Sequence, residues 1–218
     1  GSYGFTTAAG WPHAVNERLQ MVEGYDGLVY HWRLDAATMT GRNQFGHTVT
    51  LRPFMGVMGM PPDEPGKHST VPPRFCGGNL DCKELTTGTS LYLPIPVEGG
   101  LFYMGDGHAA QGDGEVSVTA IECPMECVEL TFQLHGVPSL TMPRAKTPTG
   151  WLTFGIHDDL QEATYLALEG MLDLMMELYD VDRRNALALA SVVVDMRITQ
   201  IVNQVRGVHA FLPHGAIR

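Results

Sequence analysis

Basic side chains are scarce in this 218-residue chain: 14 lysines and arginines stand against 24 aspartates and glutamates, for a formal charge of −10. No Lys/Arg-rich run breaks the pattern. A phosphate backbone is repelled overall, which argues against nucleic-acid binding. There is no basic amphipathic stretch to hold a membrane surface, and no apolar run approaches a transmembrane length. No secretory signal is visible at the start of the chain as given. Cysteine is sparse as well. Cys76, Cys82, Cys123 and Cys127 match neither zinc-ribbon spacing nor a dense disulfide framework. Free thiols in a reducing cytoplasm are expected. Internal repeats and low-complexity tracts are lacking, and charged residues make up only 17% of the chain.

What remains is apolar and rich in turn formers. Apolar residues supply 44% of the chain, enough for a core, and 25 glycines and 14 prolines serve tight turns. Residues 28–34 alternate apolar and polar, the mark of a half-buried strand. A second extended segment covers 48–60. A proline-rich loop from Pro61 to Gly78 follows, with no periodicity and a length that suggests function. Further strands are expected at 89–96, 101–106, 115–122 and 128–134, the last with Val128, Leu130, Phe132 and Leu134 on one face. Short strands at this spacing predict a sandwich or barrel. After Gly150 the pattern changes. Asp158 and Gln161 sit where a capping box would start a helix, with Leu160, Ala163, Ala167, Met171, Leu174, Met175 and Leu178 as its apolar stripe. Asp182 can cap a second helix, and 196–204 with 207–212 reads as a closing hairpin. The expectation is mainly β: a β-rich body over 1–145, then a smaller α+β part over 146–218.

Chemistry concentrates in residues 77–122. Asp106 and His108 are two apart at a strand end, so their side chains share a side. Asp113 and Glu115 are likewise two apart. The connection 107–114 carries three glycines and can fold the pairs together. Imidazole with carboxylates suits zinc or a similar divalent ion. Without a cation, such crowding raises carboxylate pKa values. Asp113 also fits plain turn chemistry, since Asp-Gly is a standard turn pair. Glu122 would lie roughly 23 Å along a regular strand from Glu115 and on the opposite face, so a structural role is expected for it.

Several runs resemble the acetamidase/formamidase family. They are Arg52-Pro-Phe-Met-Gly-Val-Met-Gly-Met-Pro-Pro62, Gly77-Gly-Asn-Leu-Asp81, Leu91-Tyr-Leu-Pro-Ile-Pro-Val97 and Gly105-Asp-Gly-His-Ala-Ala-Gln-Gly-Asp-Gly-Glu115. The stretch Ser191–Pro213 is similar too. Val118 departs from the pattern, standing where a glycine is expected. The resemblance implies a jelly-roll-like β body and hydrolysis of simple amides, with lactams for some similar sequences. It also implies that the family's N-terminal third is missing here. A homo-oligomer, or a second chain supplying that part, is therefore expected.

On this reading Asp81, Asp106 and His108 are the candidate ligands of a divalent metal, zinc first. Glu115 is the candidate general base, with Asp113 as second choice or orienting residue, and Asn79 a candidate oxyanion donor. The loop 61–78, with Phe54 and Phe75 nearby in sequence, is expected to wall the site. Formamide or acetamide is the expected substrate class, a small lactam the alternative. A calcium-holding β-sandwich module with no role for His108, and a non-catalytic chain of a larger assembly, are the competing classes.

Overall fold

The computed structural model describes residues 1–24, 26–136 and 140–218. The described residues are mainly β, with three helices. A four-stranded antiparallel sheet runs in the order β1 (Tyr3–Ala8), β2 (Leu28–Asp35), β3 (Thr40–Asn43), β4 (Thr48–Thr50). A short helix, α1 (Ala14–Arg18), lies between β1 and β2. The expected alternation in β2 is present: Trp32 and Leu34 are buried while His31, Arg33 and Asp35 are exposed.

A three-stranded sheet places β5 (Phe54–Gly59) between β6 (Gly77–Asn79) and β8 (Tyr103–His108). A five-stranded sheet takes the order β11 (Asp195–Gln200), β12 (Arg206–Pro213), β10 (Gly150–His157), β9 (Arg144–Lys146), β7 (Ser90–Tyr92), so β7 joins it from before the expected division at 146 and β9 straddles that division. The three- and five-stranded sheets share an apolar core that includes Met58, Leu80, Cys82, Leu152, Phe154 and Phe211. All four cysteines are unbonded.

Helix α2 (Leu160–Tyr179) covers the far face of the five-stranded sheet. Asp159, one residue beyond the expected cap, accepts hydrogen bonds from the amides of Gln161 and Glu162. Ala163, Ala167, Met171, Leu174 and Met175 form its buried stripe, while Leu160 and Leu178 at the ends stay exposed. The helix lies so close to β10 that a Cβ at Gly155 would sit 1.9 Å from the Ala163 carbonyl oxygen. Asp182 caps α3 (Arg183–Val193), as its position predicts. No described helix is long and apolar enough to cross a membrane.

Two expected strands do not form. Residues 115–122 fold as turns, with Glu115 at φ 47° and Val118 at φ 74°. Residues 128–134 join no ladder among the described residues, and Phe132 and Leu134 are 67% and 84% exposed. Alternation states which face a strand would bury; it does not supply the neighbouring edge. The clearest partner of this segment is a ring, Phe102, edge-on to Phe132 at 5.1 Å.

Candidate active site

β8 carries the site. Opposite Phe54 in the ladder, His108 is fully buried at the strand's end with the Phe54 ring edge-on at 5.2 Å. Beyond it the chain folds back on itself. Ala109 donates to the Ile121 carbonyl, Ile121 to Ala110, and Cys123 to Gly107. The returning segment pairs in turn with β1, Phe5 and Glu122 exchanging both backbone hydrogen bonds. This double pairing brings Glu122 to His108, with Oε2 3.2 Å from Nε2. Asp106 approaches the same nitrogen, its Oδ2 also at 3.2 Å. The regular strand expected to hold Glu122 away from the cluster does not form, because 115–122 is bent rather than extended.

The second group forms behind His108. Asp81 follows β6 in a left-handed conformation (φ 46°), its amide bonded to the Gly56 carbonyl. Glu115 is held by its neighbour: Gly114 donates to the Thr199 carbonyl and accepts from the Ile201 amide, which pins the loop to the end of β11. Asp81, His108 and Glu115 are all buried and can each offer a ligand atom within 4.8 Å of the others. Asp106, His108 and Glu122 form a second such group, less buried. His108 belongs to both.

Gly56 makes this convergence possible. A Cβ there would lie 2.6 Å from Asp81 Oδ1, 2.8 Å from Asp106 Oδ2 and 3.0 Å from His108 Cε1. Asp81, Asp106 and Glu115 all have positive φ. Left-handed backbone at non-glycine residues costs energy and concentrates at functional sites.

Gln111 fixes the imidazole. Its Nε2 donates to the Asp81 carbonyl at 2.6 Å, so its Oε1 must accept from His108 Nδ1 at 2.9 Å. That leaves Nε2 as the working atom. It stands near two carboxylate oxygens yet has no directed hydrogen bond. Asp81 Oδ1 and Glu115 Oε2 are likewise buried and without partners.

The electrostatics follow from crowding. Burial, reinforced by the Asp106 charge and partly offset by His108, pushes the Asp81 carboxyl up to about 7. Burial and the Asp81 charge push Glu115 up to about 9. Burial would lower His108, but its contacts with Asp106 and Glu122 outweigh that and hold it up at about 11. Burial would raise Asp106, yet the His108 contact wins and keeps it below the usual carboxylate range. Without a cation, the cluster is a store of protons.

Two openings reach the cluster. One, of about 310 Å³, is lined by Tyr3, Phe5, Cys123 and Pro124 with Asp106 and Glu122. The other, of about 360 Å³, reaches Glu115 past Trp32, Gln111 and Asp113. No residue of 61–78 lines either opening, contrary to expectation, and Phe54 is buried against His108 instead. Asp113 pairs with Lys83 at 2.8 Å. The Asn79 amide nitrogen donates to the Val71 carbonyl.

The Acetamidase/Formamidase family model matches residues 63–215, which include every residue of both groups. This chain belongs to that family. Acetamidase from Mycolicibacterium smegmatis is 36% identical over 105 residues, 43% of this chain and 26% of that protein. Formamidase from Methylophilus methylotrophus is 54% identical over 48 residues, 22% of this chain and 12% of that protein. The crystal structure of an acetamidase from Bacillus halodurans superposes with a TM-score of 0.79 at 25% identity, covering 98% of this chain and 69% of that one. The matched stretches thus span about a quarter or less of the two curated acetamidase/formamidase relatives. In this family member, the 105–115 signature forms the end of β8 and the loop that carries Glu115.

Proposed function

We propose that this chain carries the active site of a metal-dependent hydrolase of short, uncharged amides. One observation carries the reading: Asp81 Oδ1, His108 Nε2 and Glu115 Oε2 are buried, none makes a directed hydrogen bond, and their residues converge. Unpaired buried polar atoms are costly, and three in one cluster fit a divalent cation. One imidazole with two carboxylates suits zinc, and three protein ligands leave a coordination position open. His108 at the centre also disfavours a calcium module, which would use oxygen ligands alone.

A bound cation would polarise the amide carbonyl and make water more acidic. Glu122 is the base in this reading. Its Oε1 is held by the Ala120 amide at 2.9 Å, and the carboxylate borders the Tyr3–Phe5 opening. It takes a proton from the attacking water and passes it to the departing nitrogen, giving carboxylate and ammonia. Asp106 beside it stays ionised. Glu115, expected as the base, serves here as a ligand, and Asp113 and Asn79 have other partners. Neither opening is lined by Lys or Arg, so nothing there clamps a substrate carboxylate.

Hydrolysis with zinc supplied, read as ammonia from acetamide or formamide and as the product amino acids from a small lactam or a dipeptide, should be fastest for acetamide or formamide, slower for the lactam and slowest for the dipeptide. A preference for the dipeptide would overturn the substrate class. Glu122→Gln should retain metal and lose activity by roughly 10²-fold or more. Near-normal turnover would move the base to Asp106.

A further inference from the structure

We infer that Asn203, in the turn between β11 and β12, is a positioning residue that presents Asp81 to the cation site. The inference rests on the metal-dependent reading above and names a group far from the signature loop in sequence. Asn203 is buried, 6% exposed, and its Nδ2 donates to Asp81 Oδ2. An amide N–H can only donate, so it selects the oxygen it touches and leaves Oδ1 free. Oδ1 is the buried atom without a partner, beside the space that Gly56 keeps open.

Asn203 is itself held from several directions. The fully buried Gln200 accepts the amides of Val202 and Asn203 through one oxygen, at 2.9 and 3.0 Å. His13 Nδ1 accepts the Val15 amide, so its Nε2 donates to the Val202 carbonyl at 3.0 Å. The same hairpin pins Gly114, next to Glu115. The C-terminal hairpin therefore sets two of the three buried site residues, Asp81 through a side chain and Glu115 through backbone. Groups that orient metal ligands in this way commonly change affinity by about 10- to 100-fold when removed.

The test is zinc affinity, read by competition with a chromophoric chelator, alongside the Tm of each protein without metal. Asn203→Ala should bind zinc about 10- to 100-fold more weakly than the starting protein, and its metal-free Tm should fall because Asp81 Oδ2 loses its buried donor. Asn203→Ser keeps a donor and should recover part of the loss. Gln204→Ala, in the same turn, should match the starting protein. Unchanged affinity in Asn203→Ala overturns the positioning role and leaves the metal reading standing. A starting protein that binds no zinc overturns both. If Asn203→Ala does not fold, Asn203→Leu, of similar size and without a donor, decides: affinity equal to that of the starting protein overturns the role, and a several-fold loss supports it.

Discussion

The helix-covered face of the five-stranded sheet and the loop from Asp106 to Glu122 are built on opposite terms. Around α2, apolar side chains repeat at helical spacing, caps are satisfied, and charged residues stay outside. Around His108, charge is buried, three acidic residues adopt left-handed backbone, and polar atoms lack partners. The first region gains stability from burial. The second spends part of it, as sites built for chemistry commonly do. A cation supplied to the second region would remove most of the difference.

The sharpest way to break the comparison is to damage the stable side. Met171 is fully buried on α2, and Met171→Ala should lower the unfolding free energy by about 2–5 kcal/mol, the range for such truncations. Denaturant unfolding reads this directly. A loss under 1 kcal/mol would show that the helix face is looser than its packing implies.

The next test uses pH. Asp81, Glu115 and His108 bind protons more tightly folded than unfolded, at about 7, about 9 and about 11. Each contributes stability that is complete below its ordinary pKa and lost as pH rises through the raised value. The Tm of metal-free protein should therefore fall as pH rises from about 6 to about 9. Saturating zinc should flatten that fall, because the cation replaces the protons. A Tm that rises across this window would contradict the buried-charge account.

The smallest expected effect is at Val118, a β-branched residue at φ 74°. Val118→Gly relieves left-handed strain and should stabilise by about 0.5–1 kcal/mol, after glycine's entropy is counted. Destabilisation would mean that the side chain's packing outweighs the strain.

Regular elements were readable because they obey short periods. The β2 alternation, the Asp182 cap and the closing hairpin each follow from local spacing, and each is present. The pairing of Asp106 with His108 was readable for the same reason. Strand 128–134 was not, since its alternation lacks a neighbouring edge. The approach of Glu122 to His108 was not legible, because left-handed residues at 115 and 118 bend the chain and neither Glu nor Val announces that conformation. Asn203 was beyond reach: it lies 122 residues from Asp81, and nothing near it marks the contact.

The central claim is that His108, Asp81 and Glu115 hold a divalent cation. Zinc content after dialysis, measured on the starting protein and on His108→Ala with both metal-free Tm values recorded, tests it most directly. The account predicts about one zinc per chain in the first and none in the second. A starting protein that retains no metal, or His108→Ala that retains it fully, would contradict it.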